Sequence, residues 1–284
     1  MSGNFLSEIL AEKRQVVARM KARPSSDRLR ERALEIRKTA VPHRLLQALK
    51  SESPRLKIIA EFKRKSPSAG IIRDDRSAEE LARSYERGGA CAISVLTDEA
   101  YFGGSIADLR SVRSATDLPI LRKDFVIDPI QIFETATETA DAVLLIAAAL
   151  NDDELAKLRA TAEDELELDA VVEVHTSEEL SRAIGAAAGI IGINNRDLRT
   201  FQTSLETSER LIGKAPRDRI MIAESGLRDA ESLRRLHMLG FRGFLIGETL
   251  MRATDPEKAL RDLIRAASEV DGAQRRGYTS SFSL

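Results

Sequence analysis

The chain has 284 residues, of which 43% are hydrophobic and 31% are charged, and its formal net charge is −1 at pH 7. This balance excludes the strong charge bias expected of a protein that binds nucleic acid or a membrane surface. The lone cysteine, Cys91, excludes an internal disulfide. No segment approaches the roughly 20 apolar residues of a membrane span, and no leader-like pattern opens the chain, so we expect a cytoplasmic protein.

The segment 1–52 is predicted to be a helical extension. In its first helix, Ile9, Val16 and Met20 fall on one face, with basic residues between them. A second helix is predicted over about 26–38 and a third over about 43–51. We expect the extension to pack over one end of the domain that follows it.

From Leu56 onward, short apolar runs alternate with amphipathic segments. The eight runs are 57–62, 90–96, 119–125, 142–146, 170–174, 189–194, 220–224 and 243–246. The eight helical segments are 77–88, 105–114, 129–137, 152–162, 177–187, 203–211, 229–239 and 256–268. Each run is rich in Leu or β-branched residues and apolar on both faces, which is typical of buried parallel strands.

Eight β/α units form either a closed barrel or a doubly wound open sheet. No Gly-x-Gly-x-x-Gly motif follows the first strand, and polar residues end most strands rather than those at a single switch point. These features favour an α/β fold of the (β/α)8 TIM-barrel type. We predict a single domain over 1–284, with the barrel at about 56–270 and a flexible tail at 272–284.

Polar residues gather at the C-terminal ends of the predicted strands. Alternate strand residues point into a barrel, and most inward series run from apolar to polar. Solvation explains a single charged strand end, but several that converge on one rim must pair or shift their pKa values. The inward polar residues are Glu61, Lys63, Lys123, Glu173, His175, Asn194 and Glu224. They predict an active site at one barrel mouth, with His175 in a supporting or structural position.

The loops predict an anionic ligand. Gly226 and Gly247 follow the seventh and eighth strands, where barrels often bind phosphate through backbone N–H groups. Either glycine alone is equally well explained as a turn residue. The basic loop 64–70 is either a mobile lid over an anion or a solvated connection, and we favour the lid. No His, Cys and Asp cluster has metal-ligand spacing, so no metal is expected.

A long motif opens the barrel, I-I-A-E-F-K-R-K-S-P-S at 58–68. Other characteristic segments follow at 121–125, 172–175, 191–198, 223–226 and 245–247. In these motifs the chain resembles the indole-3-glycerol phosphate synthase family, over about residues 5–270. The resemblance implies ring closure of 1-(2-carboxyphenylamino)-1-deoxyribulose 5-phosphate, with loss of carbon dioxide and water, by general acid and base catalysis and without a metal or organic cofactor.

The resemblance also implies roles for individual residues. Lys123 would be the general acid that protonates the substrate carbonyl, and Glu173 the general base of the later dehydration. Glu61 would orient and charge-balance Lys123. Lys63 would bind the substrate and share in proton transfer, and the division of proton transfers between Lys63 and Lys123 stays open. The reacting groups would be positioned by Asn194 and Ser225, with support from Glu224, and Ser66 would contact the substrate. The phosphate would be bound by Gly226, Gly247 and the backbone of Glu248. An apolar wall would be formed by Phe102, Phe125, Leu145 and Leu198, and Arg196 would meet the substrate carboxylate.

Two features depart from the family pattern. Several relatives have Ser or Thr where this chain has Glu248, and a carboxylate beside a phosphate is unfavourable unless it points away. The chain has no tryptophan, so an aromatic contact from the N-terminal helix must come from a residue such as Phe5.

Other functions stay open on the residues alone. A phosphoribosylanthranilate isomerase would not need two inward lysines, and a Schiff-base aldolase needs a lysine with a depressed pKa, whereas Lys123 lies among carboxylates. A binding protein that keeps the barrel without its chemistry is disfavoured, because all the expected catalytic residues are present. The expected partner is a small phosphorylated substrate, and the expected state is a monomer.

Overall fold

A computed structural model describes residues 5–197 and 200–268, and within them eight parallel strands close into a barrel. The strands are β1 Ile58–Phe62, β2 Ala92–Leu96, β3 Ile120–Lys123, β4 Ala142–Ile146, β5 Asp169–Val174, β6 Ile190–Asn194, β7 Ile220–Glu224 and β8 Gly243–Ile246. Each strand pairs with the next, and β8 returns to β1 with Phe244 opposite Ile58. This closure confirms the predicted (β/α)8 barrel and rules out the open sheet.

Helices precede the barrel and alternate with its strands. Their bounds are α1 Phe5–Lys21, α2 Leu29–Arg37, α3 Arg44–Lys50, α4 Ala78–Gly88, α5 Glu99–Phe102, α6 Ile106–Ala115, α7 Pro129–Thr137, α8 Asp152–Ala160, α9 Ser177–Gly185, α10 Glu206–Ile212, α11 Ala230–Leu239, α12 Glu248–Arg252 and α13 Pro256–Ser268. Side-chain caps start several of them. Ser77 and Glu80 form a capping box at α4, and Asn151 and Glu154 form another at α8.

The strands divide their apolar side chains between two layers, because successive residues point to opposite faces. The inner layer fills the barrel and includes Ile59, Ala92, Leu121, Leu144, Val171, Ile190, Ile222 and Leu245. The outer layer packs against the helices and includes Ala60, Phe62, Val143, Leu145, Val172 and Ala223. Phe62 therefore faces the helix layer, while Glu61 beside it faces the barrel interior.

Helix α1 lies at the C-terminal mouth of the barrel. The Lys13 ammonium is buried there and pairs with Asp98 at 2.9 Å and Asp124 at 2.7 Å. These two aspartates follow β2 and β3. An unpaired charge would be costly at this depth, so the double pair fixes where α1 sits.

Helix α3 lies at the opposite end of the barrel. Its Leu45 and Leu49 are buried in the inner layer, and the Leu46 N–H donates to Asp169 at the start of β5 at 3.0 Å. Helix α2 connects the two ends and packs against α7, and its last residue, Arg37, donates to the Leu166 carbonyl at 2.7 Å. The prediction that the extension covers one end is therefore wrong, since it covers one end, runs along a side and closes the other.

Among the residues that the structure describes, no helix combines the length and the apolar character needed to cross a membrane. The tail predicted at 272–284 lies outside the described ranges.

We expect Leu45→Ala to destabilise the fold by about 3 kcal/mol, because it opens a cavity where α3 closes the barrel. Urea unfolding followed by circular dichroism measures the loss. Lys50→Ala, on the exposed face of the same helix, is the control and should change stability by less than about 0.5 kcal/mol. Equal effects in the two variants would contradict a packed closure by α3.

Candidate active site

A cavity of about 470 Å³ opens at the C-terminal mouth of the barrel, and residues from all eight strand ends line it. Its size suits a small organic ligand. The predicted site residues that line it are Glu61, Lys63, Ser66, Phe102, Lys123, Phe125, Glu173, Asn194, Arg196, Glu224, Ser225, Gly226, Gly247 and Glu248. The prediction that the inward polar strand residues converge on one barrel mouth is therefore confirmed, and their catalytic and binding roles stay predictions. Leu198 lies outside the described residues.

Lys123 stands at the centre of the charged part of the cavity. Its Nζ donates to Glu173 Oε2 at 3.0 Å and to Glu224 Oε2 at 2.8 Å. Burial alone would lower the Lys123 pKa, but the charges of Glu224, Glu173 and Glu61 outweigh burial and raise it. Lys123 is therefore a buried ammonium that stays protonated across the physiological range.

The two carboxylates that hold Lys123 have opposite pKa shifts. Burial raises the pKa of both, but the charges of Lys123 and His175 bring the Glu173 pKa below its usual value. The Glu224 pKa remains above its usual value, because Lys123 only partly offsets burial and the charges of Glu173 and Glu61 add to it. One carboxylate is thus set to be ionised and the other to take up a proton, a division that suits acid and base chemistry.

Two glycines, which lack a Cβ, leave room for the carboxylates of Glu224 and Glu61. A Cβ at Gly192 on β6 would overlap Glu224 Oε1, and a Cβ at Gly247 would overlap Glu61 Oε1. Any larger residue at either position would push a carboxylate out of the cluster. The sequence reading assigned Gly247 to phosphate and gave Gly192 no role, so the packing function of both was missed.

Glu61 forms its ion pair with the other lysine of the cavity. Its Oε1 accepts from Lys63 Nζ at 2.5 Å, whereas the carboxylates in contact with Lys123 are Glu173 and Glu224. The role of Glu61 in orienting and charge-balancing Lys123 stays a prediction. Glu61 still acts on Lys123 through its charge, which raises the lysine pKa from a distance.

The turn after β7 is held by a residue that the sequence reading left without a role. The Asn195 side-chain amide donates to the carbonyls of Glu224 at 3.0 Å and Ser225 at 3.1 Å, and its Oδ1 accepts from the Ser208 N–H. Ser225 has φ +65° and Gly226 has φ +78°. Left-handed backbone at a serine costs about 1 kcal/mol and persists only when its surroundings enforce it. Asn195 supplies that enforcement.

Comparison with known proteins agrees with this geometry. A sequence model of the family described as indole-3-glycerol phosphate synthase matches residues 6–263. The protein of that name from Bacteroides thetaiotaomicron is 44% identical over 263 residues, which cover 93% of this chain and 98% of the relative. Its counterpart from Rhodopirellula baltica is 43% identical over 260 residues, covering 92% and 98%. The chain belongs to the indole-3-glycerol phosphate synthase family.

Solved structures outside this family share the fold. Thiamine phosphate pyrophosphorylase from Pyrococcus furiosus superposes with a TM-score of 0.57 at 19% identity, covering 80% of this chain and 100% of that one. A 3-hexulose-6-phosphate synthase superposes with a TM-score of 0.57 at 14% identity, covering 74% and 99%. At these identities the likeness shows the barrel and nothing about activity.

The apolar wall of this indole-3-glycerol phosphate synthase relative differs from the prediction at one strand. Leu145 on β4 is buried in the outer layer, and its neighbours Leu144 and Ile146 line the cavity instead. Strict alternation along β4 would have found them. Phe102 and Phe125 do line the cavity, with ring centroids 6.1 Å apart.

The N-terminal helix adds an aromatic group to that wall. Phe5 lines the cavity and packs edge-on against Tyr101 at 5.3 Å and Phe201 at 5.2 Å between ring centroids. This is the position for which the sequence reading suggested Phe5, since the chain lacks tryptophan. The buried ion pairs of Lys13 with Asp98 and Asp124 hold the same helix in place.

The basic loop of the family motif forms a short antiparallel hairpin, Lys65–Ser66 with Gly70–Ile71. Arg64 is bound to Asp108 and stacks on the Phe62 ring, while Lys65 donates to the Ala100 carbonyl at 2.7 Å. These two basic side chains are therefore engaged in structural contacts. At the hairpin tip, Ser68 accepts from Arg196.

Glu248 lies at the start of α12, and its carboxylate is already neutralised. Oε1 accepts from Arg252 Nε at 2.9 Å, and Oε2 lies 3.9 Å from Arg196. Burial raises the Glu248 pKa, but the contact with Arg252 and the charges of Arg196 and Lys63 outweigh it and lower the pKa. No group of three or more His, Cys, Asp or Glu side chains within 5–197 and 200–268 is arranged to hold a metal ion.

We expect Lys123→Met to destabilise the protein by about 3 kcal/mol at pH 8, because two buried carboxylates lose their cation. Without the lysine, the pKa values of both carboxylates rise above the unfolded value of about 4.3, so the deficit shrinks as the pH falls toward 5 and they take up protons. Urea unfolding at the two pH values measures this change.

The control for this variant is Lys21→Met, which removes an exposed lysine paired with Asp128. It should cost less than about 1 kcal/mol at both pH values. A Lys123→Met deficit that stays constant between pH 8 and pH 5 would show that the buried carboxylates do not depend on the lysine.

Proposed function

We propose that this chain catalyses the reaction for which its family is named. The substrate is 1-(2-carboxyphenylamino)-1-deoxyribulose 5-phosphate, and ring closure with loss of carbon dioxide and water gives indole-3-glycerol phosphate. The observation that carries the proposal is the buried Lys123 ammonium, which contacts Glu173 and Glu224 inside the cavity. An acid and a base stand within reach of one bound molecule.

Lys123 is the proposed general acid. Ring closure requires the substrate carbonyl oxygen to take up a proton as the ring carbon attacks, and Lys123 is a protonated donor that lines the cavity. Its raised pKa keeps the amine protonated, so the proton is available, and argues against a Schiff base, which needs an unprotonated amine. When the proton leaves, Glu173 and Glu224 lose their counter-charge, which favours the return of a proton to the lysine.

Glu173 is the proposed general base of the dehydration. Its lowered pKa keeps it ionised, and its position beside Lys123 allows a proton to return to the lysine. Asn194, Ser225 and Glu224 surround the same point and are proposed to position the reacting atoms. Glu61 is proposed to hold Lys63, which binds the substrate.

The remaining contacts are assigned by chemistry. The turns at Gly226 and Gly247, with the backbone of Glu248, offer N–H donors for the phosphate, and Ser66 faces the same cavity. The apolar wall receives the aromatic ring, and Arg196 is proposed to meet its carboxylate. Cytoplasmic location and a monomeric state remain predictions from the sequence.

We expect Lys123→Ala to lower kcat by about 10³-fold, because it removes the acid of the ring closure. Formation of indole-3-glycerol phosphate, followed by indole fluorescence, measures turnover. Binding of inorganic phosphate, measured by calorimetry, should survive, because Lys123 is not proposed to contact the phosphate. Lys57→Ala, next to β1 at the opposite barrel end, is the control. A rate within threefold of wild type would remove Lys123 from the mechanism.

A separate test excludes amine catalysis. Borohydride added during turnover should leave the protein mass unchanged, because a lysine held protonated does not form an imine with the substrate carbonyl. Intact-mass spectrometry detects a reduced adduct. An adduct that is lost in Lys123→Ala would assign the protein to Schiff-base chemistry instead.

A further inference from the structure

We infer that His175, held in place by Glu179, is a positioning residue that makes Glu173 rather than Glu224 the ionised carboxylate beside Lys123. The inference rests on the function proposed above, because it concerns the choice of the base. His175 follows β5 and Glu179 lies in the first turn of α9. The sequence reading gave His175 only a supporting or structural place.

The immediate surroundings of Lys123 do not distinguish the two carboxylates. Lys123 Nζ is 3.0 Å from Glu173 Oε2 and 2.8 Å from Glu224 Oε2. The side chains of Glu173 and Glu224 are 3% and 1% exposed, so burial penalises both alike. The difference between the two carboxylates must therefore arise at the carboxylate oxygens that do not contact the lysine.

Those second oxygens have different neighbours. Glu173 Oε1 lies 3.6 Å from His175 Nε2, and the Asn194 side chain also bonds the Glu173 carboxylate. Glu224 Oε1 is buried without a hydrogen-bond partner among the described residues. The asymmetry between the two carboxylates is thus supplied by one imidazole and one amide on the side of Glu173.

Glu179 fixes the imidazole. Its Oε2 accepts from the His175 backbone N–H at 2.7 Å and lies 3.3 Å from His175 Nδ1. The Thr176 side chain caps α9 by accepting from the Glu179 N–H at 3.1 Å, which anchors the carboxylate in turn. A proton on Nδ1 is required by this contact, so Nε2 is the nitrogen left to face Glu173.

The charge of the imidazole follows from its neighbours. Burial lowers the His175 pKa, but the bond to Glu179 and the charges of Glu173, Glu179 and Glu224 outweigh burial and raise it. The raised pKa favours the imidazolium form beside Glu173. The groups that face Glu173 are Lys123, His175, Asn194 and Glu224. Those that act on Glu224 are Lys123, Glu173, Glu61 and, as the smallest contribution to the His175 pKa shows, His175.

The consequence concerns where a shared proton resides. Four carboxylates, Glu61, Glu173, Glu179 and Glu224, surround Lys63, Lys123 and the His175 imidazolium, so one carboxylate is in excess and tends to bind a proton. With the imidazolium in place, that proton belongs on Glu224. Without it, the proton is shared with Glu173, and a protonated Glu173 is not a base.

The test measures ionisation in the ligand-free protein labelled with ¹³Cδ-glutamate. The Glu173 and Glu224 resonances are assigned by their loss in Glu173→Gln and Glu224→Gln. His175→Gln should raise the midpoint of Glu173 by about one pH unit or more and lower that of Glu224. Glu179→Gln keeps the imidazole but removes the carboxylate that binds it. This variant should shift the Glu173 midpoint in the same direction by a smaller amount.

Glu178→Gln is the matched control, since Glu178 is the exposed neighbour of Glu179 on α9. Both midpoints should stay at their wild-type values in this variant. Unchanged Glu173 and Glu224 midpoints in His175→Gln would overturn the inference, whatever happens to activity. A loss of thermal stability without a midpoint shift would make His175 a structural residue only.

Turnover of the same variants separates the inference from the proposed function. The acidic limb of the kcat profile should move to higher pH in His175→Gln, by the same interval as the Glu173 midpoint, while KM changes less than twofold. A midpoint shift without movement of the limb would support the selection of Glu173 by His175 and would refute Glu173 as the base.

Discussion

The pairing of Lys123 with Glu173 and Glu224 is the interaction on which the site depends. The lysine is on β3 and its partners are on β5 and β7, so the contact exists only when the sheet is closed and these strand ends face one another. Opening the barrel would separate Lys123 from both of its carboxylate partners. Closure and charge pairing therefore stabilise each other, and the chemistry is built on the same contact.

The strand that carries Lys123 also fixes the N-terminal helix. Arg122 points to the helix layer and donates to the Gln131 carbonyl at 3.0 Å, Lys123 points into the cavity, and Asp124 pairs with Lys13 of α1. Three consecutive residues thus tie β3 to α7, to the active site and to the extension. Helix α1 carries Phe5 to the cavity wall. The C-terminal end of β3 therefore positions both Lys123 in the charged part of the site and, through α1, Phe5 in the apolar part.

Strand periodicity explains what was predictable from the sequence. It correctly directed Glu61, Lys123, Glu173 and Glu224 into one mouth, because the facing of a strand residue depends only on its own position. Pairing among those groups was not predictable, since it depends on the register of strands distant in sequence. The ion pair between Glu61 and Lys63 was not predicted for that reason, and the resemblance linked Glu61 only to Lys123. The assignment of Leu145 failed because it departed from the alternation that its own strand obeys.

The course of the extension could not be derived in the same way. Amphipathic helices show which face is buried but not against what, and the partners of Arg37 and Lys13 are over 80 residues away in the sequence. The order of the helices in space is therefore a tertiary property. Only the closed barrel shows that one end receives α1 and the other α3.

The two lysines of the cavity are suited to different tasks by the number of their partners. Lys123 contacts two carboxylates and has no charge to spare for an anion, whereas within residues 5–197 and 200–268 Lys63 forms one ion pair, with Glu61. Near Lys63, Glu248 is held by Arg252, so a phosphate at the start of α12 would not face a free carboxylate. In the proposed reaction, the groups assigned to the anion are therefore different from the two carboxylates that contact Lys123, so the anion would bind without breaking the ion pairs of the proposed acid.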